Sequence, residues 1–118
     1  ELPLASDDRI LLVQVFLNLL GNARDAVIQN PVGQRIVKIE SSANEHDLVV
    51  SVEDNGGGLD GDIDRIFDPF MTSKKEGLGM GLAIAKSIVE AHDGKIRASS
   101  IAGSGALLQV SIPRKYVA

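Results

Sequence analysis

Three glycines, Gly77, Gly79 and Gly81, alternate with other residues directly before an amphipathic segment, and this pattern constrains the chain most strongly. Glycines spaced in this way remove Cβ clashes, so that consecutive backbone N–H groups can turn towards one anion. The N-terminus of the following helix adds the positive end of its dipole at the same point. The polar run 72–76, with Lys74 in it, would then be a movable cover over phosphates. A glycine-rich surface loop without a ligand explains the same pattern, and this segment alone does not separate the two interpretations.

The composition indicates a single globular domain. With 118 residues, of which 44% are hydrophobic and 24% charged, the chain can form one core. Its 12 basic and 16 acidic residues give a net charge of −4, which argues against a nucleic-acid-binding surface. The absence of cysteine excludes disulfides and thiolate metal sites. We find no signal peptide and no apolar run near the roughly 18 residues that cross a bilayer. We expect a cytoplasmic domain without membrane contact of its own, in a parent whose membrane anchoring the sequence leaves open. Because the chain starts at Glu1 rather than Met, we expect it to be part of a larger protein.

Helical and strand patterns alternate along the chain. Helical periodicity predicts a long helix over 8–29, a second over 81–92 and a short one over 60–67. Strands are predicted over 1–5, 34–42, 47–54, 95–100 and 106–112. In the long helix, the residues expected to face the sheet are Val13, Phe16, Leu17, Leu20 and Val27. Short turns make successive strands antiparallel, and helices return the chain across one face. The expected fold is therefore α/β, a two-layer sandwich of a mixed, mostly antiparallel sheet with helices on one side.

Two asparagines, Asn18 and Asn22, lie four residues apart in the long predicted helix and so project from the same face. Asparagine is a mediocre helix former, and a ligand explains two in register better than helix propensity does. A carboxamide oxygen is a hard, neutral ligand suited to one position on Mg²⁺, whose other partners are waters and phosphate oxygens. A buried hydrogen-bonding pair or a solvated face would give the same pattern.

Asp54 ends an apolar strand directly before one asparagine and three glycines. A carboxylate held there can accept a hydrogen bond from an exocyclic amine, while Gly56 and Gly58 allow a flat ring to approach the backbone. The alternative interpretation is an ordinary Asp-Asn-Gly turn. The chain contains neither GxxxxGK[ST] nor a GxGxxG that opens a helix after a first strand. A P-loop or dinucleotide-binding site is therefore not expected.

Five motifs follow one another along nearly the whole chain: NLLGNA (18–23), DNGGGL (54–59), FDPF (67–70), GLGMGL (77–82) and GSGA (103–106). Together they resemble the ATP-binding catalytic domain of sensor histidine kinases. That family belongs to the superfamily of gyrase, Hsp90, histidine kinase and MutL ATPases, which share the Bergerat fold. The wording IFDPFMTSK and GLAIAKSIVEAHDG is most similar to the nitrogen-regulation and oxygen-sensing branch.

The resemblance implies ATP and Mg²⁺ as cofactors and a role for each motif. Asn22 would bind Mg²⁺, Asn18 would lie beside the phosphates, and Lys74 would contact a phosphate. Asp54 would accept the adenine amine. The other residues implied to line the site are Gly56, Gly58, Phe67, Phe70, Thr72, Gly77, Leu78, Gly79, Met80, Gly81, Leu82, Gly103, Gly105 and Ala106. The γ-phosphoryl group would pass to a histidine on a separate dimerisation domain of the same kinase, and from there to a response regulator.

The chain departs from the family pattern at several positions. Ala106 stands where many relatives carry Ser or Thr, so a hydroxyl near adenine is missing, and Asp25 stands where some branches have a basic residue. No phosphoacceptor segment is present, and we expect His46 and His92 to be structural or solvated. We therefore expect residues 1–118 to be one catalytic domain, monomeric and inactive alone, from a homodimeric parent.

The main alternative is an ATP hydrolase of the same superfamily. Those relatives generally place a glutamate base where this chain has Asn18, and an amide cannot accept the proton of an attacking water. A nucleotide-sensing module without transferase activity is a second alternative. A related serine kinase that restrains a sigma factor is a more distant one.

Overall fold

The structure, a computed structural model, describes residues 6–57, 66–67, 81–101 and 104–114, with residues 6–8 and 104 described by their backbone alone. Two helices and four strands lie in this part of the chain. In chain order they are α1 (Ser6–Val27), β1 (Val37–Ala43), β2 (Asp47–Asp54), α2 (Gly81–Ala91), β3 (Lys95–Ile101) and β4 (Ser104–Pro113). The predicted strand over 1–5 and most of the predicted short helix over 60–67 lie outside the described residues.

The four strands form one sheet in the order β1-β2-β4-β3, and every pairing between them is antiparallel. After β2 the chain passes through α2 to the far edge, where β3 forms, and then returns between β3 and β2 as β4. Both helices pack on the same face of the sheet and against each other. The predicted two-layer α/β sandwich is therefore confirmed, and its described strands are antiparallel throughout.

The buried face of α1 is not the one that the sequence predicted. Val13 and Leu17, which were expected to face the sheet, are 55% and 62% exposed, and that part of the prediction is wrong. Phe16 and Leu20 lie half-buried at the border of the core. The face that packs consists of Leu12, Val15, Leu19, Ala23 and Val27. Apolar residues surround most of the first half of α1, so periodicity offers two stripes, and packing against the sheet and α2 selects between them.

The ends of both helices differ slightly from the predicted bounds, for visible reasons. After α1, the Arg35 guanidinium donates to the carbonyls of Ile28 and Asn30 at 3.0 and 2.9 Å, which satisfies acceptors that the helix leaves free. After α2, Asp93 adopts a left-handed conformation with a φ of 59°. The Gly94 N–H then bonds back to the Val89 carbonyl at 2.9 Å, as in a Schellman ending.

The strand bounds agree with the sequence best in the middle of the sheet. β2 has the predicted bounds. β1 begins later than predicted because the chain before it is held by side chains, which bond to the Gln34 carbonyl and the Ile36 amide. β4 begins two residues earlier than predicted, at Ser104, where it pairs with Ile101 of β3 beside a register shift.

By length and composition alone, α1 passes a test for membrane spans over Arg9–Val27, the one such helix among the described residues. The sequence had led us to expect no such segment. The core helix of a soluble protein passes the same test, and the buried face of α1 contributes Leu12, Val15 and Leu19 to the core here.

Candidate functional site

Asp54 is the last residue of β2 and lies on the face of the sheet that the helices cover, in register with Val37 and Ala106. The residue is 5% exposed. Its Oδ1 accepts a hydrogen bond from the Gly56 N–H at 2.9 Å, and the described residues supply no partner for Oδ2. An acceptor in an otherwise buried position is suited to bind a ligand N–H.

Two glycines bring the turn after Asp54 into backbone contact with its neighbours. A Cβ on Gly56 would lie 2.6 Å from the Ala26 carbonyl oxygen, so the turn packs directly on α1. Gly105 has a φ of 35°, and a Cβ there would collide with the Asp54 carbonyl oxygen. The Gly105 N–H donates to the Gly56 carbonyl at 3.1 Å. The start of β4 therefore lies against the Asp54 backbone, and the turn that follows Asp54 lies against α1.

Asn18 and Asn22 both lie half-buried on α1, but they differ in their hydrogen bonds. The Asn18 Nδ2 donates to the Gly81 carbonyl at 3.1 Å and so fastens the first residue of α2 to α1. The Asn22 carboxamide makes no hydrogen bond with any described residue and remains available to a ligand. The two side chains are not bonded to each other, so they are not the hydrogen-bonded pair that the sequence left open.

Asn18, Asn22 and Ala26 follow one another at four-residue spacing along one side of α1. Asn18 contacts the start of α2, and Ala26 contacts the turn at Gly56. The eight residues between these contacts span about 12 Å of helix. The site is thus elongated, with a buried acceptor at one end and the N-terminus of α2 at the other. Between them lies the amide of Asn22, which has no hydrogen-bond partner among the described residues.

The start of α2 is further supported by aromatic and apolar contacts. Leu82 and Phe67 are half-buried and pack against the core. The Lys86 ammonium lies 5.7 Å from the centroid of the Phe67 ring, within range of a cation–π interaction. The first N–H groups of α2 have no acceptor within the helix and carry the positive end of its dipole, which favours an anion.

The remaining predicted residues divide into two groups. Ala106 is buried beside Asp54 in the register of the sheet. The predicted site residues that lie outside the described part of the chain are Gly58, Phe70, Thr72, Lys74, Gly77, Leu78, Gly79, Met80 and Gly103. Their roles stay predictions.

The two histidines and Asp25 lie in structural or exposed positions. His92 is 4% exposed, and its Nδ1 lies 2.8 Å from the Ile88 carbonyl. His46 is exposed in the hairpin between β1 and β2, at the other end of β2 from Asp54. The Asp25 carboxylate lies 3.3 Å from the Arg24 guanidinium, although both side chains are substantially exposed.

The sequence did not predict two side chains that support the turn after Asp54 by hydrogen bonds. Asn30 and Asn55 join the segment after α1 to the residue after Asp54 through several hydrogen bonds. In the sequence they look like a helix stop and part of a turn. Their separation by 25 positions gives no local signal that they meet.

Comparisons with known proteins agree with this geometry. Residues 7–116 match the family model described as "Histidine kinase-, DNA gyrase B-, and HSP90-like ATPase", and the chain belongs to this family. The signal transduction histidine-protein kinase AtoS of Escherichia coli is 39% identical over 96% of this chain and 18% of its own length. The sensor protein FixL of Bradyrhizobium diazoefficiens is 37% identical over 90% of this chain and 21% of its own length.

Solved structures give the same result. The nucleotide-free catalytic domain of histidine kinase ThkA superposes with a TM-score of 0.76 at 34% identity, covering 90% of this chain and 68% of that one. Full-length ShkA in complex with AMPPNP superposes with a TM-score of 0.73 at 30% identity, covering 87% of this chain and 21% of that one. The resemblance to the catalytic domain of sensor histidine kinases is confirmed. The chain spans only about a fifth of the AtoS and FixL sequences.

Proposed function

We propose that this domain binds ATP with Mg²⁺ and donates the γ-phosphoryl group to a histidine on a separate dimerisation domain of the same kinase, in two-component signalling. The observation that carries the proposal is the elongated arrangement along α1. It sets a buried hydrogen-bond acceptor, a free amide and a helix N-terminus in one line. A nucleotide presents a base amine, a metal-bound phosphate chain and a terminal anion in the same order.

Asp54 recognises the base in this proposal. Its Oδ1 is engaged by the Gly56 N–H, so Oδ2 is the oxygen that accepts from the adenine amine. The absence of a Cβ at Gly56 and Gly105 lets the turn and β4 close around the carboxylate. Ala106 contributes a methyl group and no hydroxyl, which leaves Asp54 as the polar contact to the base among the described residues of this end of the site.

The residues on α1 and at the start of α2 fit a metal-bound phosphate chain. A single neutral amide, Asn22, is free to ligate Mg²⁺, and no described cluster of three or more His, Cys, Asp or Glu side chains could hold a metal instead. One protein ligand suffices for Mg²⁺ when phosphates and waters supply the rest. Bound there, the ion would neutralise phosphate charge. Asn18 holds the α2 N-terminus in place, and Lys74 would add a cation.

The amide of Asn18 and its hydrogen bond favour phosphoryl transfer over ATP hydrolysis. An amide cannot take a proton from water, and the Asn18 side chain is already used to hold the Gly81 carbonyl. Neither histidine of the chain is a candidate acceptor. His92 is buried, and His46 lies beyond the far end of β2, roughly 25 Å from Asp54 along an eight-residue strand. The accepting histidine and its base would therefore come from the dimerisation domain.

The proposal extends to the setting of the domain. We place it in the cytoplasm, as a single catalytic domain over residues 1–118 that is monomeric when isolated. Its parent would be a homodimer that passes the phosphoryl group to a response regulator through the dimerisation domain.

A titration with the ATP analogue AMPPNP, with and without Mg²⁺, tests the proposal directly. Residue-resolved NMR should show shifts at Asp54, Gly56, Asn22 and Gly81, and binding should tighten when Mg²⁺ is present. Adding the phosphoacceptor domain in trans with ATP should produce phosphohistidine, while the isolated domain should release little phosphate. No binding at millimolar analogue would refute the proposal. Release of phosphate that is lost in Asn18→Ala would support a hydrolase instead, and binding without transfer would support a nucleotide sensor.

A further inference from the structure

Asn55 extends the pairing of β1 with β2 by one step beyond Asp54. Its backbone N–H donates to the Ile36 carbonyl at 3.2 Å, and its Oδ1 accepts from the Ile36 N–H at 2.9 Å. Its Nδ2 donates to the Gln34 carbonyl at 2.8 Å. The Asn55 side chain therefore takes the place of backbone hydrogen-bonding groups at the point where the pairing of β1 with β2 would otherwise end, directly after Asp54.

Asn30 closes the arrangement from the side of α1. Its Nδ2 lies 2.8 Å from the Asn55 carbonyl, 3.2 Å from the Asn55 Oδ1 and 3.3 Å from the Gln34 carbonyl. The Arg35 guanidinium in turn holds the Asn30 carbonyl at 2.9 Å. Asn30 and Asn55, which we call the asparagine clamp, thus join the segment after α1 to the residue that follows Asp54.

We propose that the asparagine clamp is a pair of positioning residues that determines base selectivity, by fixing the orientation of the Asp54 carboxylate. This inference rests on the proposed function. Asp54 is paired with Val37 and Ala106, so its backbone stays in the sheet without the clamp. The peptide between Asn55 and Gly56 carries both the carbonyl that Asn30 holds and the N–H that donates to the Asp54 Oδ1. Loss of the clamp would release this carbonyl and let the peptide, and with it the carboxylate, change orientation. Selectivity for an amine over a carbonyl requires an acceptor that cannot move away, because a mobile carboxylate can avoid the wrong group.

The test compares two nucleotides that differ on the base edge that carries the recognised group, since inosine triphosphate has a carbonyl at C6 and a proton on N1. ATP carries an exocyclic amine where inosine triphosphate carries a carbonyl, and both have the same triphosphate. Dissociation constants for both are measured by calorimetry with Mg²⁺ for the wild-type domain, Asn55→Ala and Asn30→Ala. We expect the wild type to prefer ATP, and each variant to lose at least about fivefold of that preference. Hydrogen exchange at the Gly56 N–H should accelerate in both.

Asn44→Ala is the matched control. The Asn44 Oδ1 accepts from the N–H groups of His46 and Asp47 at 2.9 and 2.8 Å, in the hairpin at the opposite end of β2. It is likewise an asparagine that holds backbone amides, so its loss should also reduce stability. A loss of stability weakens binding of both nucleotides by the same factor. Asn44→Ala should therefore leave the ratio of the two dissociation constants unchanged.

The outcomes separate the clamp from the proposed function. A wild-type domain that binds neither nucleotide refutes both. A wild type that prefers ATP, with variants that keep the same ratio, refutes the clamp and leaves the proposed function intact. The clamp is also refuted if Asn44→Ala changes the ratio of the two dissociation constants as much as Asn55→Ala and Asn30→Ala do. If Asn55→Ala does not fold, Asn30→Ala decides the question, because it leaves the Asn55 hydrogen bonds to Gln34 and Ile36 in place.

Discussion

Replacement of the Asp54 carboxylate by an amide should weaken nucleotide binding without unfolding the domain. In Asp54→Asn, the amide Oδ1 can still accept from the Gly56 N–H, which it meets at 2.9 Å in the wild type. The position of Oδ2 is then taken by an NH₂ group, which faces the adenine amine donor to donor. The fold keeps its turn, and the binding site loses its acceptor.

The size of the effect follows from the burial of Asp54, which is 5% exposed. A hydrogen bond to a charged acceptor contributes about 1.5–3 kcal/mol, and each 1.4 kcal/mol corresponds to a factor of ten in affinity. The dissociation constant for AMPPNP with Mg²⁺ should therefore rise by roughly ten- to a hundredfold. Calorimetry measures this constant, and a urea melt of the same sample verifies that the variant is folded.

Asp47→Asn is the control for this substitution, because Asp47 begins the strand that Asp54 ends. It makes the same chemical change at the other end of β2 and should leave binding within about twofold of the wild type. An unchanged dissociation constant in a folded Asp54→Asn variant would remove Asp54 from the site and with it the assignment of the base end.

Three further predictions address the metal, the backbone and the core. Asn22→Ala should abolish most of the dependence of AMPPNP binding on Mg²⁺, and an unchanged metal titration would assign the ligand elsewhere. Gly105→Ala should cost about 1–3 kcal/mol of stability, because its φ of 35° and the Asp54 carbonyl exclude a Cβ; an unfolding curve that matches the wild type would contradict this. Leu19→Ala should cost about 2–5 kcal/mol in urea unfolding, since Leu19 is fully buried. Leu17→Ala, at an exposed position of the same helix, should stay within about 0.5 kcal/mol of the wild type, and the reverse order would refute the observed face of α1.

Local sequence signals were sufficient to predict most of the elements of the sheet. β2 alternates apolar and polar residues between a hairpin and a glycine run, and both its ends were predicted. Antiparallel pairing follows from short connections, so the sandwich and its one-sided helices could be predicted as well. Recognition of the nucleotide motifs depended on their order along the chain, which is also a property of the sequence alone.

The sequence by itself thus determined the fold class and, within the described part of the chain, the two helices and the four strands. Tertiary structure decided the rest, because the remaining interactions join positions that are distant in the chain. It selected the buried face of α1, where two apolar stripes competed. It gave Asn18 a partner 63 residues away and Asn30 a partner 25 residues away. Periodicity reports only neighbours within a few residues, whereas these hydrogen bonds exist only after α1, β2 and α2 have packed.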